Sequence, residues 1–240
     1  MDLLIPFPDG GFAFLEGVFP YSQGVTALPG FAIEHARFAR PVPVARGFER
    51  ISGYLKAMQR PPTALCAAEL RSPKPFTFSG FAEFNAGYVA VLEDWGLFRG
   101  GLNPVARSNV APELDPPAEP SFYAFGYTVP AADAPPSFVV AGSGEWPEGG
   151  RFPEDIVARG DASHAGLRAK AEWVLGTMEA RMRGLRVSGP SVAQVYTARD
   201  FHSLVPEIQR RLPGANLTWH YCRPPIEGLE FEMDLRRISL

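Results

Sequence analysis

Hydrophobic and polar positions along the chain fall into the same order of elements twice. Residues 31–38 (FAIEHARF) read as a strand, and Phe48, Ile51, Leu55 and Met58 then recur at helical spacing. Pro61-Pro62 ends that helix, and the apolar stretch 64–70 predicts a short strand. Ser79 can cap a second helix bearing Phe81, Phe84, Tyr88, Val91, Leu92 and Trp95. Strands at 107–114 and 121–129 follow, parted by Asp115-Pro116-Pro117. The second half opens with a strand at 137–141. Asp161 or Ser163 can cap a long helix bearing Leu167, Ala171, Val174, Leu175, Met178, Met182 and Leu185. A strand at 192–198, a short helix at 203–212 and strands at 217–221 and 229–235 complete it.

Each half therefore predicts β-α-β-α-β-β. Phe138-Val139-Val140 lies 107 residues after Phe31-Ala32-Ile33, and Pro213-Gly214-Ala215-Asn216 lies 109 residues after Pro104-Val105-Ala106-Arg107, which points to a diverged internal repeat. The expected fold class is α+β, with one module over residues 1–130 and a second over 131–240. Residues 130–136 (PAADAPP), of linker composition, mark the boundary. Two helices can cover only one face of each mixed sheet. The other face must be buried between the halves or between chains, and such junctions commonly hold ligands.

Composition narrows the function classes. With 46% hydrophobic and 20% charged residues, the 240-residue chain can bury a sizeable core. A net charge of −3 argues against a nucleic-acid surface. Of the cations only Lys56, Lys74 and Lys170 are not arginine; that skew suits carboxylate recognition but equally follows from genomic base composition. No apolar run approaches the roughly 20 residues that span a bilayer. The start, MDLLIP, lacks the basic and apolar regions of a secretory leader, and Cys66 and Cys222 are too few for a disulfide framework. A cytoplasmic protein without a membrane partner is the expectation.

Local motifs for common chemistries fail. His220 and Cys222 share a strand face, yet no further ligand pattern accompanies them, so packing outweighs zinc and no metal site is expected. Ser143 in Gly142-Ser143-Gly144-Glu145 does not meet the Gly-x-Ser-x-Gly nucleophile elbow. The glycines at 144–150 lack the Gly-Lys-Ser/Thr ending of a phosphate loop.

Other segments, taken in order, resemble the Rid family (the YjgF or reactive-imine-deaminase family). Pro20-Tyr21-Ser22-Gln23-Gly24-Val25 is similar to its opening motif, and Pro104-Val105-Ala106-Arg107-Ser108-Asn109-Val110 to its Pro-Ala-Arg-Ser motif, with one residue inserted. In the second half, Phe138-Val139-Val140-Ala141-Gly142 resembles the strand ending Val-Ser-Gly, residues 192–201 (VAQVYTARDF) the strand and turn ending Asp-Phe, and Leu229-Glu230-Phe231-Glu232 the closing strand. The resemblance implies tandem chorismate-mutase-like modules and a homo-oligomer with trimer-like or pseudo-trimeric packing. It also implies hydrolytic, cofactor-independent deamination of an enamine or imine carboxylate, with a small-molecule carboxylate as partner. Some relatives act on 2-aminomuconate-type intermediates of aromatic degradation, others on 2-aminoacrylate.

By that resemblance Arg107 anchors the carboxylate, Glu230 orients water and shuttles protons, and Tyr21 bonds the substrate or closes the pocket. Asn109, Gly142 and Ser143 would line the substrate site. Asn216 stands where a second arginine would be, so one functional site per chain is expected. Each role has a structural rival: Arg107 could pair with a surface carboxylate such as Glu113, and Glu230 and Glu232, alternating with Leu229, Phe231 and Met233, could form a solvated strand face. A non-enzymatic small-ligand binding or interaction protein is the competing expectation, and a chorismate-mutase-like isomerase a weaker third.

Overall fold

The computed structural model describes residues 4–238; Met1–Leu3, part of the stretch read for a leader, and the last two residues of the second module lie outside the described residues. Three short strands come first: β1 (Leu4–Phe7), β2 (Phe12–Leu15) and β3 (Gly24–Ala27). Then follow β4 (Phe31–Pro43), α1 (Val44–Ala57), β5 (Leu65–Arg71), α2 (Phe78–Asp94), β6 (Ala106–Pro112) and β7 (Ser121–Pro130). The remainder is β8 (Phe138–Gly144), α3 (His164–Leu185), β9 (Val192–Tyr196), α4 (Val205–Arg211), β10 (Asn216–His220), the two-residue β11 (Cys222–Arg223) and β12 (Glu232–Arg237).

The architecture is mixed α+β. One sheet runs β11-β6-β5-β7-β4 and the other β1-β2-β3-β8-β12-β9-β10. In the first, β4 and β5 both pair antiparallel with β7, and β5 runs parallel to β6. In the second, β8 and β9 both pair antiparallel with β12, and β9 runs parallel to β10. The same four-stranded pattern thus occurs twice. The sheets are larger than four strands because the 4–27 segment forms a meander that extends the second sheet through the β3–β8 pairing. Its strands, four residues each and broken by Gly and Pro, show too little periodicity to read from sequence.

Helix ends follow local chemistry. Thr77, not Ser79, caps α2, its hydroxyl accepting the Gly80 N–H at 3.1 Å. Ser163 caps α3 through Gly166 N–H at 3.2 Å, while Asp161 instead accepts the N–H of Ser163. Phe122 of β7 touches both Phe48 of α1 and Tyr88 of α2, so both helices cover one face of the first sheet. Likewise Val174 and Met178 of α3 and Ile208 of α4 share one core with Val195, Met233 and Leu235. Among the described residues no helix is long and apolar enough to cross a membrane.

The opposite faces of the two sheets bury charge. On β12, Met233 and Leu235 point to the helices, while Glu232, Asp234 and Arg236 face the first sheet and are also buried. Asp234 accepts hydrogen bonds from Ser108 and Tyr196, both at 2.8 Å, and from Arg236 at 2.7 Å. Arg236 pairs in turn with Glu69, which also meets His35 at 2.6 Å. Burial alone would raise the Glu69 pKa, but Arg236 and His35 hold its carboxyl below the ordinary value.

Candidate functional site

Arg107 and Asn109 lie two apart on β6 and so share a face. The 18–22 segment is laid beside them: Ser22 bridges Ala106 in parallel register, its N–H donating to Val105 O at 3.0 Å. Asn103 Nδ2 holds Phe19 O at 3.2 Å and sets the turn that delivers Tyr21. From above, α2 supplies Asn85, whose Oδ1 accepts from Arg107 Nη2 at 2.8 Å. Aromatic rings surround the Arg107 guanidinium, with Tyr88 at 4.9 Å, Tyr21 at 5.3 Å and Phe81 at 5.5 Å. Yet Arg107 Nη1, Asn109 Nδ2 and the Tyr88 hydroxyl are buried with no hydrogen-bond partner among the described residues. Buried polar groups are nearly always satisfied, so such a set in one place asks for a ligand.

The second wall comes from β8 and β12. Met233 faces Ser143 and Leu235 faces Val140, so Ala141 and Gly142 together oppose Asp234 in a bulge. The carbonyls of Ala141 and Gly142 accept from Arg181 Nη1 of α3, at 2.9 and 3.2 Å. Arg181 Nη2 reaches on to Glu148 at 2.7 Å. At Gly142 an added Cβ would run into Oε1 of Glu232, so the carboxyl group lies against bare backbone.

These walls enclose a cavity of about 360 Å³, within the range of small-molecule sites (about 300–1,000 Å³). Its polar lining includes Tyr21, Asn85, Arg107, Asn109, Glu148 and Glu232; Phe81, Ile226 and Leu229 are among its apolar walls. Phe19 and Phe78, 52% and 48% exposed, border it on the solvent side. Burial, reinforced by Asp234, pushes the Glu232 carboxyl up to about 8, while Arg71, Arg107 and Arg181 pull the other way. Glu232 is therefore mostly a neutral acid at pH 7. Burial raises the Tyr21 and Tyr88 hydroxyls, the latter to about 12, and pulls the Arg107 pKa below its ordinary value.

Five of the six residues singled out from sequence, Tyr21, Arg107, Asn109, Gly142 and Ser143, line this one cavity. Glu230 does not. The strand begins only at Glu232, so the expected two-residue alternation fails at 230. Instead Glu230 turns to Arg199 at 2.6 Å and to the buried Lys170 at 3.5 Å. Glu113 pairs with Arg223 rather than with Arg107. Glu232 was visible in the closing motif beside Glu230, whereas Asn85, Glu148 and Arg181 carry no local signal. His220 bonds Gln194 at 2.7 Å and Cys222 packs with Val110 and Tyr196. Among the described residues no three His, Cys, Asp or Glu side chains gather to hold a metal ion.

Comparison with known proteins gives this geometry a context. A chorismatase structure aligns with 95% of this chain and 77% of its own at a TM-score of 0.52 and 11% identity, a likeness of fold alone. A "2-amino-5-chloromuconate deaminase" of Comamonas testosteroni is 47% identical over 240 residues, covering 97% of this chain and 95% of that protein. The model of the family described as "2-aminomuconate deaminase CnbZ" matches residues 4–240. Of the expected resemblance the deaminase part is met and the Rid family itself is not what matches: the chain belongs to the 2-aminomuconate deaminase CnbZ family.

Proposed function

We propose that the cavity hydrolytically deaminates an enamine or imine carboxylate of the 2-aminomuconate type, releasing ammonia and a 2-oxo acid. The observation that carries this reading is the buried Arg107 Nη1 in the cavity wall, which has no hydrogen-bond partner among the described residues. A substrate carboxylate there would take two charge-assisted hydrogen bonds and fix the register of the reacting carbon. Glu232, neutral at pH 7, gives its proton to the enamine carbon chain and leaves an iminium. Water adds at the iminium carbon, the C–N bond breaks, and the new hydroxyl returns its proton to Glu232. Tyr21 and Asn109 hold the polar end of the substrate, and the apolar wall shields the iminium from bulk water.

Family membership and the printed activity of the 47% identical relative support deamination over a purely binding role. The doubled strand pattern, with Tyr21 and Arg107 brought together, supports a distant kinship with Rid modules meeting near residues 130–136. The test is ammonia release from enzymatically generated 2-aminomuconate and 2-aminoacrylate by the wild type and Arg107→Ala. Wild-type turnover with at least a ~100-fold loss of kcat/KM in the variant is expected, since hydrogen bonds to charged groups contribute about 1.5–3 kcal/mol each. Equal rates for the two proteins would overturn the anchor, and saturable binding without turnover would favour the binding protein.

A further inference from the structure

The deamination scheme leaves the attacking water without a base, because Glu232 starts as the acid. We propose that Glu148 is the second catalytic carboxylate, accepting the proton of the water that attacks the iminium carbon. This rests on the deaminase reading and adds a residue to it.

Three observations lead there. Glu148 is a cavity-lining acid other than Glu232, and it lies in the turn that follows β8. Arg181 grips it at 2.7 Å, and this guanidinium is itself 3% exposed and held by the carbonyls of Ala141 and Gly142. Arg181 is therefore a fixed strut, and it aims a turn carboxylate at one place. That place is next to the acid, since the same Gly142 whose carbonyl binds Arg181 abuts the Glu232 carboxyl through its α-carbon. Both acids line the one cavity and are tied to one glycine, Glu232 by direct approach and Glu148 through Arg181, in different settings. Glu232 is buried beside Asp234, whereas Glu148 is paired with a cation. Paired carboxylates whose surroundings differ in this way divide into acid and base.

The proton balance closes. Glu232 gives its proton to carbon as the enamine pair forms the C–H bond. As water forms the C–O bond, one of its protons passes to Glu148, and the C=N pair moves to nitrogen. Glu148 then protonates that nitrogen. Ammonia leaves with the C–N pair as the carbonyl forms, and the hydroxyl proton restores Glu232. One water is consumed and both carboxyl groups return to their starting states.

The experiment measures steady-state deamination of enzymatically generated 2-aminomuconate by the whole enzyme, Glu148→Gln and Glu148→Ala. General-base loss predicts a fall in kcat of about 100-fold or more in both variants, with KM within about threefold. Added formate, a small carboxylate able to fill the vacated place, should restore part of the Glu148→Ala rate and leave the wild type unchanged. If Glu148→Gln keeps more than about a third of kcat, or if formate rescues nothing in folded Glu148→Ala, the role is overturned. A residue that only braced Arg181 would lower the melting temperature and show no rescue. Should the wild type itself release no ammonia, the deaminase reading falls and this role with it; an active wild type beside an unimpaired variant removes the role alone.

Discussion

Strands β6 and β10 occupy the same position in the two sheets, each parallel to the strand that begins the crossover, and their environments could hardly differ more. Six of the seven residues of β6 are buried, whereas every residue of β10 is exposed or half-exposed. The difference lies in what covers them. Above β6 lies the 17-residue α2, beside it run residues 18–22, and against it sits the bulge of β8. The matching helix over the second sheet, α4, has seven residues, and β10 ends that sheet as an edge. One strand therefore holds an arginine in an enclosed cavity, and the other begins with exposed Asn216. A repeated topology supplies two equivalent places, but only a neighbouring wall turns one of them into a site.

The sharpest way to probe the covered junction is Glu232→Gln. Losing a proton donor should lower kcat about 100- to 1,000-fold, read by ammonia release. The group is flanked by Asp234 on its own strand, Arg71 of β5, Arg107 of β6, Arg181 of α3 and Tyr21 of the leading segment. Its acid form persists up to about pH 8, so wild-type kcat/KM should fall as pH rises through that value. Stability carries the same sign. The folded carboxyl titrates near 8 and the unfolded one near 4.5, so the folded chain binds the extra proton and loses stability as pH rises between those values. Urea midpoints for wild type and Glu232→Gln across that window would measure it; parallel curves would contradict the raised pKa.

Glu230→Gln tests the neighbouring carboxylate and should reverse the balance of effects. It weakens the pairing of the fully buried Lys170, now left to Glu145 and the Val157 carbonyl. A loss of about 1–3 kcal/mol in denaturant unfolding is expected, with kcat within a few-fold of wild type. A large activity loss without destabilisation would return Glu230 to the chemistry.

The smallest effect belongs to the uncovered strand. Asn216→Arg puts an arginine where the repeated strand pattern would place one, but on an exposed edge it has no cavity to enter. Stability should change by less than about 0.5 kcal/mol, and the substitution should not rescue Arg107→Ala. Rescue would show that β10 can acquire a wall, through closure or a second chain, and would break the comparison.

Sequence legibility followed the range of each interaction. Phe48, Ile51 and Leu55 mark α1 because helix periodicity is local, and the strong apolar runs of β5 and β9 stand out for the same reason. The strands of the 4–27 meander gave no signal, although the 20–25 motif within it did, since strands of four residues are specified by their partners rather than by their own pattern. The choice between Glu230 and Glu232 turned on where β12 starts, and the backbone settles that only when it meets β8 and β9. On β12 the alternation of charged and apolar residues reads as one wet face, yet both faces are buried because Asp234 and Arg236 find Ser108 and Glu69 across the junction and Asp234 also finds Tyr196 on the neighbouring strand.

By itself, then, the sequence determined the element order, its repetition, and five residues, Arg107 among them, that line one cavity. Those are matters of periodicity and of which side chain stands at which step of the chain. Tertiary structure alone decided which glutamate enters the cavity, that Glu148 joins it from the turn after β8 with Arg181 of α3 holding it from behind, and that β6 is buried while β10 is not. Each of these depends on packing between segments tens to more than a hundred residues apart, and burial, the cause of the raised Glu232 pKa, does not exist until those segments meet.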